Sequence, residues 1–157
     1  MIEIYKKILV GIDASDESKR AIQKVIQLYK QMKSEVVIFN SIRHRRITLM
    51  VPLGLGFYSY GHYMIPEQDY KRLMRVNKEA GEKILKEAKE QFEGESIPVS
   101  ARLIEEKKPG DYILSIVEKE GFDLVILGYK GAHSKLSLGS VARKILNKVP
   151  IDFLIIR

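Results

Sequence analysis

Apolar residues recur along this chain in two alternating rhythms. Lys7-Ile8-Leu9-Val10-Gly11-Ile12 is a short apolar run with β-branched residues, the pattern of a strand buried on both faces. After Asp13-Ala14-Ser15 the period changes. Ala21, Ile22, Val25, Ile26, Tyr29 and Met32 fall at the i, i+3, i+4, i+7 spacing of one helical face. Glu35–Ser41 reads as a second strand. Pro66 precedes a long helix predicted over 67–92, with an apolar stripe through Tyr70, Leu73, Ala80, Ile84, Ala88 and Phe92 and Glu–Lys pairs at i,i+4 on its wet side. Residues 97–104 form a third strand, and Pro98 near its start suggests a sheet edge. A helix from about Pro109 to Glu120 stops at Gly121, a residue suited to the left-handed position after a helix. Residues 123–128 are a fourth strand, 137–148 a last helix and 151–156 a fifth strand.

This β-α-β-α-β-α-β-α-β order predicts an α/β fold, a parallel sheet covered by helices on both faces. The length of 157 residues suits one domain, 1–157, with a single core. In such folds ligands bind beyond the carboxyl ends of the strands, where the strand order reverses. Asp13, Asn40-Ser41 and Gly128 all stand at predicted carboxyl ends.

The stretch 43–66 breaks the rhythm and reads as an insertion. Residues 47–65 contain no Asp, Glu, Lys or Arg, yet Pro52, Gly54, Gly56 and Gly61 argue against a membrane-spanning helix. Such an apolar segment is expected to pack on the domain or on a partner subunit, as a lid, an arm or a strap. The net charge of +7 is densest just before it, at Arg43-His44-Arg45-Arg46. That cluster could attract phosphates, nucleic acid or a membrane surface, but it reads as a solvated basic loop and not as a specific nucleic-acid site. There is no cysteine, which excludes disulfides and thiolate metal sites. The opening residues do not form a signal peptide, so a cytoplasmic location is expected.

Several enzyme signatures are missing: no GxxxxGK[ST] loop, no GxSxG elbow and no HExxH. The three histidines have no metal-ligand spacing. The segment from Gly128 to Ser140, GYKGAHSKLSLGS, joins the fourth strand to the last helix and has two readings. Gly128 and Gly131 could let backbone amides approach an oxyanion, with Gly139-Ser140 offering the free amides of a helix start and Lys130, Lys135 and Arg143 adding charge. Alternatively it is an ordinary β-α connection. Asp13 is likewise either a ligand to a ribose hydroxyl or adenine amine, or a cap on the first helix, a role open to Ser15 and Asp16 as well.

Taken end to end, KKILVGIDASDESKRA, EVVIFNS, FDLVILGYKG, LGSVARKIL and VPIDFLIIR resemble the universal stress protein family. The resemblance implies a five-stranded parallel sheet of flavodoxin-like or Rossmann-like type and a homodimer paired through the last strand, at Ile151, Phe153 and Ile155. It also implies the Gly-x2-Gly-x9-Gly-Ser/Thr motif of the branch that holds ATP. By it, Ile12, Asp13, Ala14 and Ser41 would meet the nucleoside. Gly128, Gly131, Gly139, Ser140 and Val141 would meet phosphates and ribose, and Tyr129 and Lys130 would flank the nucleotide. The cofactor expected is ATP, or ADP or AMP, with any Mg2+ held by the phosphates; no catalytic residue is assigned. Asn40 stands where the family often has histidine. Only seven residues separate Gly131 from Gly139 against the family's nine, and the unbroken apolar face from Leu138 to Val149 puts the shortening at 132–137. A shorter lip suits a ligand smaller than ATP. The resulting expectation is a nucleotide-binding switch in the stress response with an unidentified protein partner. The alternatives are a nucleotide-free dimeric adaptor and a slow ATPase or nucleotidyl transferase.

Overall fold

The computed structural model describes residues 4–42, 48–52, 60–64, 66–129 and 139–157. Five parallel strands form the main sheet: β1 (Lys7–Gly11), β2 (Glu35–Ile42), β5 (Val99–Glu105), β6 (Leu124–Gly128) and β7 (Asp152–Ile156), in the order β5-β2-β1-β6-β7. Helices α1 (Asp16–Met32), α2 (Glu67–Gly94), α3 (Pro109–Ile116) and α4 (Ser140–Ile145) connect them. The expected parallel α/β architecture is therefore the observed one.

Alternation along the strands divides the core into two layers. Ile8 and Val10 of β1 pack with Ile22, Val25 and Ile26 of α1 and with Leu85 and Phe92 of α2. Leu9, between them in sequence, faces the other way and packs with Ile113 and Ile116 of α3 and Ile145 of α4. Because β1 is central and covered on both sides, its sequence has no polar alternation.

The edges and ends differ instructively from the sequence reading. Pro98, which has no N–H to give a ladder, lies just before β5, and β5 is indeed an edge strand. Helix α3 ends at Ile116 instead of Glu120, but turns continue to Gly121, whose left-handed φ of 67° reverses the chain. There Phe122 N–H donates back to Val117 O at 2.9 Å. Within 43–66 lies a two-stranded antiparallel hairpin, β3 (Thr48–Pro52) with β4 (Tyr60–Met64), which the sequence reading of this stretch did not include. The long helix follows directly at Glu67, as Pro66 foretold.

The largest departure concerns the last helix. It was expected over 137–148; the structure has α4 over six residues, with turns to Lys148. So short a helix has little macrodipole, which removes much of the electrostatic argument for anion binding at its start. Lys130, Gly131 and the shortened connection at 132–137 lie outside the described residues.

Candidate functional site

Strand order reverses between β1 and β6. From β1 the chain proceeds through β2 to β5 on one side, then continues at β6 and β7 on the other. Loops leaving the carboxyl ends of β1 and β6 therefore diverge and open a crevice. A cleft of about 630 Å³ lies there, within the size range of small-molecule sites.

One wall is the start of α1. Ser15 is its N-cap, and its Oγ accepts from Ser18 N–H at 3.1 Å. Asp13 is not the cap. Its Oδ1 accepts from Ser15 N–H at 2.8 Å and from Ser15 Oγ, while its own N–H donates to Ser18 Oγ at 2.8 Å. These bonds close a ring among Asp13, Ser15 and Ser18. The carboxylate is thereby fixed on the cleft wall, and capping falls to Ser15. Of the two roles open to Asp13, the cap on α1 is the one the structure gives to Ser15 instead.

The floor comes from β1 and β2. Asn40 is buried, 7% exposed, and donates from Nδ2 to Ile12 O at 2.8 Å. Ile12 N–H donates to Phe39 O at 2.9 Å. Both main-chain groups of Ile12 are thus tied to β2, which orients the turn carrying Asp13. Ser41 Oγ donates to Lys107 O, joining the end of β2 to the chain that enters α3. Gly81 lets α2 approach this floor closely, since a Cβ there would lie 2.7 Å from Leu103 Cδ1 and 3.0 Å from Asn40 Oδ1.

The opposite wall is the end of β6 with the start of α4. Gly139 is the N-cap of α4, and no side chain caps the helix. Its N–H donates to Tyr129 O at 2.8 Å, so this amide is already engaged. The amides of the following turn, from Ser140 to Ala142, have no intrahelical acceptor. Beside the mouth, Lys144 pairs with Asp111, and that hydrogen bond holds the Asp111 carboxyl below its ordinary range.

Of the residues singled out in the sequence, Ile12, Asp13, Ala14, Ser41, Gly128, Gly139, Ser140 and Val141 all line this one cleft. Tyr129 does not: its ring lies beneath the Arg157 guanidinium, 4.6 Å from the centroid. Its N–H donates to Ile156 O at 2.6 Å. The sequence did not single out Phe39, Ile84 or Pro109 as part of the site, although they line it too. Ile84 belongs to the predicted stripe of α2, but nothing local tells that one turn of that stripe reaches beyond the core.

The model of the universal stress protein family matches residues 4–157. A curated relative, universal stress protein YxiE of Bacillus subtilis, is 26% identical over 156 residues, covering 98% of this chain and 100% of its own. Among solved structures, universal stress protein UspA from Lactobacillus plantarum superposes with a TM-score of 0.75 at 17% identity, covering 98% of each chain. Two further structures share the fold. A universal stress protein in complex with cAMP has a TM-score of 0.62 at 20% identity, over 98% of both chains. One from Archaeoglobus fulgidus in complex with dAMP has a TM-score of 0.63 at 18% identity, over 98% of this chain and 99% of its own.

Proposed function

The chain belongs to the universal stress protein family, and from that premise we propose that its cleft binds an adenine nucleotide and that occupancy serves as a signal or switch in the stress response. The observation that carries this reading is the position of the cleft. It sits at the strand-order reversal, with a fixed carboxylate, Asp13, on one wall and Gly128 and the uncapped turn after Gly139 on the other. Asp13 suits a ribose hydroxyl or an adenine amine as donor, and the amides of that turn suit a phosphate. The adenine nucleotides held by two proteins of the same fold, cAMP and dAMP, support the nucleotide class. ATP, ADP and AMP are the ligands to compare.

The proposal extends to assembly. Strand β7 is the sheet edge on the side of β6, and Phe153, Leu154, Ile155 and Ile156 are all only partly buried. An edge strand with partly exposed apolar residues is a template for pairing, which supports a homodimer through this strand.

Thermal unfolding with and without nucleotide tests the site. At a ligand concentration about 100 times Kd, stability should rise by about 2.7 kcal/mol. For a chain of this size that is a midpoint shift of roughly 5–10 °C. Asp13→Ala should reduce the shift for every adenine ligand. No shift with ATP, ADP, AMP or cAMP would overturn the reading.

A further inference from the structure

We infer that Arg143 selects the charge class of the ligand: its guanidinium takes a phosphate, so the cleft distinguishes a phosphorylated adenine compound from the bare nucleoside. The inference rests on the nucleotide reading above and deepens it.

Among the described residues lining the cleft, Asp13 and Arg143 are the only charged side chains. They stand on different walls, Asp13 after β1 and Arg143 on α4. Arg143 N–H donates to Gly139 O at 3.0 Å, so it lies one helical turn beyond the glycine and shares its face. Two other described cations are committed elsewhere. Lys144 pairs with Asp111, and Lys107 Nζ donates to Ser115 Oγ at 2.9 Å. The exposed Arg143 side chain has no hydrogen bond or ion pair among the described residues.

A guanidinium presents a planar fork that matches two phosphate oxygens. Already in water, Arg143 breaks no bond to another described residue to engage one. A carboxylate on one wall and a guanidinium on the other complement a ligand with hydroxyl or amine donors on one part and an anion on another. Adenosine supplies only the first part, whereas AMP supplies both. With α4 too short to contribute much dipole, the side chain becomes the main source of positive charge on the described wall.

Titration calorimetry of adenosine, AMP and ATP against wild type, Arg143→Gln and Arg143→Lys tests this. Because Arg143 is exposed, neither variant disturbs the core. Arg143→Gln should weaken AMP and ATP by about tenfold or more, the scale of one lost charge-assisted hydrogen bond. Adenosine affinity should be unchanged. Arg143→Lys should restore part of the loss, as a charge without the fork. Unchanged AMP affinity in Arg143→Gln, or an equal loss for adenosine and AMP, would overturn the inference. If wild type binds none of the three, the nucleotide reading itself fails and takes this inference with it. If wild type binds all three and Arg143→Gln binds them equally well, the nucleotide reading stands and only the role of Arg143 falls.

Discussion

A single added carbon at Gly11 would lie 2.5 Å from Leu127 Cδ2 and 3.2 Å from the Phe39 ring. Both neighbours are buried, and all three residues line the cleft. Gly11→Ala is therefore an overpacking change in a floor that core and cleft share. It should cost about 1–3 kcal/mol, seen as a lower urea midpoint at unchanged slope. A midpoint equal to that of wild type would mean that Leu127 and Phe39 yield freely. At this scale the sequence was most readable where one residue decides its own neighbourhood. Pro98 and Gly121 act through their own backbones: Pro98 marked the edge strand it was expected to mark, while Gly121 takes the left-handed turn but ends the turns after α3, not the helix itself. Asp13 was ambiguous because its role depends on Ser15 taking the cap and on Ser18 Oγ accepting its N–H. Asn40 was harder still, since its partner, Ile12 O, lies 28 positions away. No local pattern encodes such a bond.

Elements meet across the edge of the sheet at Arg102, which joins β5 to the turns after α3. Its guanidinium donates to both carboxylate oxygens of Glu120, at 3.0 and 2.8 Å, and to Tyr112 Oη at 3.2 Å. The hydrogen bond from Arg102 holds the Glu120 carboxyl below its ordinary value of 4.5. A depressed carboxyl stabilises the fold fully above the unfolded value and loses that contribution as pH falls toward the folded one. Wild-type stability should thus decline below about pH 4.5, and Glu120→Gln should decline less steeply there while being less stable near neutrality. Urea unfolding from about pH 7 to about pH 3 measures both limbs; parallel curves for the two proteins would refute the assignment. Element type was legible wherever periodicity ran long, as in α1 and α2. It failed in two places for different reasons. The β3–β4 hairpin is formed by pairing between segments that themselves contain Pro52 and Gly61, and a one-dimensional pattern scores those residues as breakers. In α4, apolar spacing extends beyond the helix because Leu146 follows in a turn and Val149 lies beyond the turns, so the spacing overstated its length.

At the scale of the molecule, Pro98 marked one edge, but the strand order was not legible, because the apolar run of β7 at the other edge is as unbroken as that of central β1. The other edge, β7, is the one proposed to pair with a second copy. Phe153 and Ile151 pack against the α3–α4 layer and Leu154 and Ile156 against the α1–α2 layer, so Ile155 is the apolar residue of this strand least committed to the core. Ile155→Lys should therefore give a monomer by sedimentation equilibrium while keeping the thermal midpoint of the isolated subunit. A variant that stays dimeric would move the interface elsewhere. What the sequence could not provide was the closeness of two walls and a floor built from residues far apart in the chain. It did provide their common address, the carboxyl ends of the strands, and topology did the rest.

Tyr129 ends one side of the connection to α4 and Gly139 begins the other, and the Gly139 N–H to Tyr129 O bond at 2.8 Å fastens the two together. With Tyr129 N–H also bound to Ile156 O at 2.6 Å, the base of this connection is clamped to the sheet independently of what runs between. Changing such a tethered span from eleven residues to nine alters its closure entropy by only about 0.2 kcal/mol. Length there is nearly free of thermodynamic consequence for the fold. The length of this connection can therefore change while the strands, the walls and the edge stay as they are.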